Sequence, residues 1–171
     1  VHDFLAAADQ FMGERKRIVG ATTPQAWREG RIIGDNERIL KLPIEVGGEQ
    51  HPEQTLVIAA CPDADNLKFL ISLVFRWSIF RLDYEIGRRH VNVNRPQYSN
   101  IPYTVIGPHY HPWAENKPSI TSISEPFKLP WALPLDVHIR QFDGALRWFC
   151  QQTNIEIGNH QIMLPPKERL L

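Results

Sequence analysis

Apolar residues near the two ends of the chain recur with a helical period. At the amino end they fall at three- and four-residue steps, which predicts an amphipathic helix over 3–16: Phe4, Leu5, Ala8, Phe11 and Met12. Toward the other end a second stripe follows Asp136, a candidate N-cap, and consists of Ile139, Phe142, Leu146 and Phe149. We expect both helices to pack their apolar faces on the layer formed by the residues between them.

The stretches between the two helices carry strand patterns. Residues 27–33 and 37–46 predict two strands joined by the turn Gly34-Asp35-Asn36, and 54–61 predicts a buried strand. From 67 to 79 apolar residues occupy nearly every second position, which predicts one long strand or a strand pair with a tight reversal. The fold class expected is α+β: an antiparallel β-meander with an N-terminal and a C-terminal helix packed on the sheet.

Proline content marks a change of structure in the second half of the chain. Eight of the fourteen prolines fall within 96–134, which predicts loops and short edge pieces there. We expect a single domain of 171 residues, because this length suffices for one hydrophobic core. Its predicted regions are an N-terminal helix in 1–20, an antiparallel sheet in 25–95, the proline-rich loops in 96–134, and a helix, short strand and tail in 135–171.

Composition narrows the class of protein. The chain is 43% hydrophobic and 22% charged, which is typical of a globular domain, and its formal net charge is zero, which argues against non-specific coating of nucleic acid. No apolar run is long enough to cross a bilayer and no export signal is recognisable, so we expect no membrane partner. Cys61 and Cys150 lie in apolar surroundings without a metal or redox spacing, which predicts buried reduced thiols in a cytoplasmic protein.

Histidine and arginine concentrate in two short segments. His109 and His111 stand at i and i+2 between Pro108 and Pro112, so their imidazoles project to the same side of an extended segment. Some twenty positions upstream lies Arg88-Arg89-His90. If the two segments converge, they bring three imidazoles and two guanidiniums together.

One function predicted from these groups is metal-free phosphodiester cleavage. His90, His109 and His111 would act as general acid and base, since an imidazole titrates near neutral pH. Arg88 and Arg89 would bind the phosphate, and the rings of Tyr110 and Trp113 would stack on unpaired bases. The expected activity is that of a small phosphodiesterase or ribonuclease acting on RNA or single-stranded nucleic acid.

The same three histidines are candidate ligands of a divalent metal ion. Neutral imidazole is the commonest transition-metal ligand in proteins, and Asp83 or Glu115 would add a carboxylate. No glycine-rich phosphate loop is present, so no nucleotide cofactor is expected.

Two alternatives require no chemistry. In the first, His109 and His111 hydrogen-bond the backbone of a proline-rich loop. In the second, 96–134 presents its aromatic residues to a protein partner. The choice among these hypotheses depends on whether His90 lies near His109 and His111.

The order of elements resembles an uncharacterised bacterial domain family of unknown function. That family has a strand ending in Leu-Asp, then His-x-Asn, Pro-His-x-His and Trp-Ala elements, followed by a helix. The similar stretches here are Leu82-Asp83-Tyr84, His90-Val91-Asn92, Pro108-His109-Tyr110-His111, Trp131-Ala132 and 149–155. The resemblance covers about 27–157, and this chain departs from it where Val93-Asn94-Arg95 precede Pro96. It implies a site at these residues and a bacterial toxin, toxin–antitoxin or phage-defence setting.

Overall fold

The computed structural model describes residues 1–20, 22–23, 26–97, 99–158 and 161–165. Its helices are α1 (His2–Gly13), α2 (Trp113–Asn116) and α3 (Phe142–Gln152). Its strands are β1 (Lys16–Ile18), β2 (Arg28–Gly30), β3 (Glu37–Val46), β4 (Glu49–Ala60), β5 (Lys68–Phe75), β6 (Trp77–Glu85), β7 (Arg89–Val91), β8 (Thr104–Ile106), β9 (His109–His111), β10 (Leu133–Pro134) and β11 (Ile155–Glu156). A 3-10 turn, Lys117–Ser119, follows α2.

Most strands belong to one sheet. Its order is β10-β9-β6-β5-β4-β3-β1-β11, with β2 paired to β3 beside β1. Neighbours in the sheet are antiparallel except β1 and β11, which run parallel. Strands β7 and β8 form a separate antiparallel ribbon. The α+β prediction, with a helix at each end of the chain and a mostly antiparallel sheet, is confirmed.

The strand predictions differ from the structure mainly in their bounds. The alternation over 67–79 covers β5, the reversal at Arg76, where φ is 61°, and the first three residues of β6, which continues to Glu85. The strand predicted over 27–33 ends early at Gly30, because the carboxylate of Glu37 accepts the amides of Ile32 and Ile33. A backbone N–H that donates to a side chain is not available to pair with a neighbouring strand. The short strand predicted at 155–157 is present as β11, whereas the part of the predicted tail at 166–171 lies outside the described residues.

The main core lies between one face of the sheet and the two long helices. Phe149 of α3 meets Phe80 of β6 edge-on with ring centroids 5.3 Å apart, and Phe11 of α1 stacks on Phe75 of β5 at 4.9 Å. Each fully buried aromatic or aliphatic side chain contributes about 1.5–3 kcal/mol. The helices therefore cover this face and leave the opposite face to other segments. None of the helices that the structure describes is both long enough and apolar enough to cross a membrane.

Lys16 has no exposed surface and joins the ends of the two long helices. Its ammonium group donates to the carbonyls of Met12 at 3.1 Å, Glu14 at 2.7 Å and Thr153 at 3.0 Å. The first helix ends at Gly13 rather than at 16, so Lys16 reaches its last carbonyls from strand β1. Burial lowers the pKa of Lys16 to about 8.

The two cysteines are unpaired thiols. Cys150 is buried on α3, whereas Cys61, predicted to be buried, is only half-buried after β4. Burial raises the pKa of the Cys150 thiol to about 12.

Candidate metal centre

Strands β6 and β9 place four polar side chains on one face of the sheet. Asp83 pairs with His109 and Arg81 pairs with His111 in the antiparallel register. Side chains two residues apart project from the same face of a strand, so these four groups are neighbours. The face is the one opposite α3, since the intervening Tyr110 packs against residues of the helical core. The prediction that His109 and His111 project to the same side is borne out by this register.

The ribbon of β7 and β8 brings the third imidazole to this face. The ring centroid of His90 lies 5.1 Å from that of His109 and 5.0 Å from that of His111, and the latter two are 5.3 Å apart. One ligand nitrogen from each ring lies within 4.8 Å of the others. The two segments that carry His90 and the pair His109 and His111 therefore converge.

Two buried asparagines hold the chain that lies beside His90. Nδ2 of Asn92 donates to the carbonyl of Ala132 at 2.9 Å, and Oδ1 of Asn92 accepts from the backbone N–H of Ala132 at 2.6 Å. Asn116 forms the same pair of bonds with Trp131, both at 2.8 Å. These side-chain amides replace the partner strand that a proline-rich segment lacks. They thereby fix the carbonyl of Pro130, which lies 3.0 Å from Nε2 of His90.

Hydrogen bonds define the protonated nitrogen of two of the three imidazoles. Nδ1 of His109 lies 2.8 Å from the carbonyl oxygen of Gly107. Nε2 of His90 lies 3.0 Å from the carbonyl oxygen of Pro130. A carbonyl only accepts, so these ring nitrogens carry the hydrogen. The lone pairs then reside on His109 Nε2 and His90 Nδ1, free for a ligand.

The two ring nitrogens of His111 differ in their polar partners: Nε2 has two and Nδ1 has none among the described residues. Its Nε2 lies 3.1 Å from the carboxylate of Asp83 and 2.9 Å from Nη2 of Arg81. The carboxylate accepts and the guanidinium donates, so Nε2 satisfies only one of them. Its Nδ1 is buried and has no hydrogen-bond partner among the described residues. Whichever nitrogen carries the proton, Nδ1 therefore remains an unpaired polar atom, and such atoms are costly.

Burial keeps the inner imidazoles neutral. His109 is 2% exposed and His111 has no exposed surface, while His90 is half-buried. Burial lowers the pKa of His109 and lowers the pKa of His111 to about 4, although the hydrogen bond to Asp83 acts in the opposite direction. Neutral imidazole at pH 7 is the form that binds metal ions.

Asp83 is the buried anion beside the cluster. Burial alone would raise the pKa of its carboxyl, but the hydrogen bond with His111 and the charge of Arg81 outweigh burial and hold the pKa well below its usual range. Its Oδ2 also accepts from Nε of Arg81 at 2.8 Å and lies 3.7 Å from Nε2 of His109. The cluster therefore contains one carboxylate that contacts two of its imidazoles.

The arginine at the cluster is Arg81, which sequence reasoning missed as a site residue. Arg88 instead pairs with Glu85 at 3.0 Å, and Arg89 is exposed on β7, where its side chain alternates with that of His90. A phosphate-binding role for Arg88 and Arg89 stays a prediction. The available signal was the spacing of Arg81 and Asp83, two residues apart in the segment that continues the strand pattern of 67–79.

The predicted stacking residues contact the protein itself. Tyr110 is half-buried, and its ring lies 4.8 Å from that of Trp148. Trp113 is 4% exposed and donates from Nε1 to Asp9 at 2.7 Å. These contacts favour packing over base stacking. Glu115 is not part of the group of candidate ligands found among the described residues, which consists of the three histidines.

The donor set fits a transition-metal ion. Three nitrogen ligands without a fourth protein ligand are typical of sites that keep one coordination position for water or substrate. Zinc–nitrogen bonds are about 2.0–2.1 Å, so two nitrogens on a tetrahedral zinc ion lie roughly 3.3 Å apart. The nitrogens here lie within 4.8 Å of one another, so their separations would shorten by up to about 1.5 Å on binding. The unpaired Nδ1 of His111 would gain the partner that it lacks.

Comparison with known proteins gives no further assignment. No protein-family model, no curated protein and no solved structure matches this chain. The resemblance to an uncharacterised bacterial domain family therefore stays an expectation.

Proposed function

We propose that this protein binds one divalent transition-metal ion through His90, His109 and His111 and uses it for hydrolysis. The observation that carries the proposal is the buried, unpaired Nδ1 of His111 in a cluster whose other two imidazoles direct their N–H groups to carbonyls. With the Nε2 hydrogen donated to Asp83, the His111 ring becomes a ligand held by a carboxylate, which is a common arrangement around protein-bound metals. The ligand atoms are then His90 Nδ1, His109 Nε2 and His111 Nδ1.

The charge of Arg81 supports this choice of nitrogen on His111. Its guanidinium lies 2.9 Å from Nε2, so a cation on that side of the ring would meet a like charge. The opposite nitrogen faces no cation from Arg81 and is the one that lacks a partner.

The open coordination position supports hydrolysis as the proposed reaction. An ion held by His90, His109 and His111 would lower the pKa of a bound water molecule toward 7 and so supply a nucleophile at neutral pH. The lowered pKa values of His109 and His111 suit ligands better than a general acid, which must carry a proton near neutral pH.

Metal analysis tests the proposal directly. Protein stripped with a chelator and dialysed against zinc or cobalt should retain one ion per chain, and the double variant His109→Ala/His111→Ala should retain none. His138→Ala is the matched control, because this histidine is exposed and lies outside the cluster. Folded wild-type protein that binds no ion, or a double variant that binds as tightly as wild type, would overturn the proposal.

Metal-free cleavage of RNA by the same histidines is the second candidate. It is supported by the convergence of three imidazoles with one guanidinium. RNA cleavage that persists in chelator and is lost in the double variant would favour it over the metal-dependent activity. The toxin, toxin–antitoxin or phage-defence setting, a protein partner for 96–134 and a cytoplasmic location remain predictions.

A further inference from the structure

The segment 86–114 contains no acidic residue, although the whole chain has 19 acidic and 19 basic residues. Its three arginines are Arg88, Arg89 and Arg95. Arg88 pairs with Glu85, which precedes this acid-free segment, whereas Arg89 is exposed and pairs with no acidic residue that the structure describes. The ribbon of β7 and β8 lies within the acid-free segment and is therefore a positively charged part of a chain whose formal net charge is zero.

The ribbon turns one face to the histidine cluster and the other face to solvent. His90 and its cross-strand partner Val105 lie on the inner face, where Val105 is buried and His90 meets the other imidazoles. Side chains alternate along a strand, so Arg89 and its partner Ile106, which is 72% exposed, lie on the outer face. Other large apolar side chains of the acid-free segment are also exposed: Ile86, Val93 and Tyr103. Clustered exposed apolar side chains beside an arginine are typical of a surface that binds another protein.

Backbone hydrogen bonds at the two ends of the ribbon fix the direction in which each residue of β7 points. At one end the N–H of Gly107 donates to the carbonyl of Arg88 at 2.7 Å. At the other end the N–H of Asn92 donates to the carbonyl of Tyr103 at 2.9 Å. Bonded and non-bonded residue pairs alternate in an antiparallel ladder, so the even-numbered residues 88, 90 and 92 bond toward β8.

The odd-numbered residues of β7 point to an edge that is open. Arg89 and Val91 direct their backbone groups away from β8, and no strand in the described part of the chain pairs with β7 on that side. The carbonyl of Val91 accepts from the N–H of Val93 at 3.0 Å. The edge therefore offers the N–H and carbonyl of Arg89 and the N–H of Val91 to another chain. Open edges of this kind accept extended peptides as an added strand.

We propose that the open edge of β7 binds an extended segment of a partner protein as a third, antiparallel strand. An acidic side chain of that segment lies beside Arg89, and a β-branched apolar side chain lies beside Val91, because directly opposed cross-strand pairs interact most strongly. A second copy of this chain would place two acid-free segments against each other, so charge repulsion opposes it. A nucleic acid would contact the guanidinium but has no backbone amides to pair with the edge. The proposal does not depend on the metal site, because the added strand contacts the edge and outer face of the ribbon.

A labelled peptide tests the proposal on the full chain. In this peptide threonine alternates with glutamate and valine in turn, so the glutamates and valines share one face of the extended peptide. We expect binding below about 1 mM, about tenfold tighter than that of the same peptide with lysine in place of glutamate. Arg89→Glu should reverse this preference. Arg147→Glu is the matched control and should not change it, because this exposed arginine lies on α3 and pairs with Asp143.

N-methylated peptides test the backbone pairing without a protein variant. Methyl groups on the glutamate and valine nitrogens face β7 and should abolish binding, whereas methyl groups on the threonine nitrogens face away and should be tolerated. No binding at about 1 mM, equal binding of the glutamate and lysine peptides, or binding that either methylation pattern leaves unchanged would overturn the proposal. Tighter binding of a single-stranded oligonucleotide that Arg89→Glu abolishes would also overturn it, as would a dimer that Arg89→Glu dissociates in sedimentation.

Discussion

The imidazole of His111 and the carboxylate of Asp83 lie 3.1 Å apart in the sheet interior, with side chains that are 0% and 8% exposed. The carboxylate orients the ring and increases its basicity as a ligand. We expect Asp83→Asn to weaken zinc affinity about 10- to 100-fold, as loss of such a partner commonly does. Competition with a chromophoric chelator measures this, with Asp143→Asn on the exposed face of α3 as control. Equal affinities in the two variants would contradict the role of Asp83.

Asn92 should matter for folding as well as for the site. Asn92→Ala leaves the N–H and carbonyl of Ala132 without their side-chain partner, and we expect a loss of about 2–4 kcal/mol in the free energy of unfolding. Urea unfolding measures the change. Asn100→Ala, at an exposed position, should stay within about 0.5 kcal/mol of wild type.

The lowered pKa of Lys16 predicts a pH dependence of stability. Between about pH 8 and its ordinary value of 10.5, the unfolded chain holds a proton on Lys16 that the folded chain has lost. Stability relative to Lys16→Met should therefore rise with pH across this window, by at most about 3 kcal/mol, and should be constant below it. Urea unfolding of both proteins at several pH values measures this difference. A difference that falls with pH would have the wrong sign.

The two thiols should react at different rates. Cys150 is 2% exposed and the pKa of its thiol is raised, so it should react with a thiol reagent only after unfolding. Cys61 is half-buried, and burial raises its pKa as well, so it should react slowly in the native protein. Cys61→Ser separates the two reactions. A rapid reaction of this variant under native conditions would show that Cys150 is accessible.

Much of the sheet could be predicted because alternation is a local property. The residue pattern over 67–79 contains β5, the reversal and the start of β6. The i, i+2 spacing of His109 and His111 is enough to put both on one face. Strand order is a different matter, because the pairing of β9 with β6 depends on contacts between segments some thirty residues apart. This pairing brings Arg81 and Asp83 to the histidines. Because the pairing could not be predicted from local patterns, the sequence pointed instead to Arg88 and Arg89, which are neighbours of His90 along the chain.

The ribbon of β7 and β8 shares no strand with the main sheet, yet it carries one of the three histidines. A metal ion would therefore act as a removable cross-link between the sheet and the ribbon, closing the chain between His90 and His109. For a covalent cross-link over a comparable loop, the reduction in unfolded-chain entropy is worth about 3 kcal/mol. Removal of the ion would leave the sheet intact and the ribbon held only by contacts such as those of His90 and Asn92 with 130–132, so an increase in protease sensitivity confined to 86–107 would report metal loss in a folded protein.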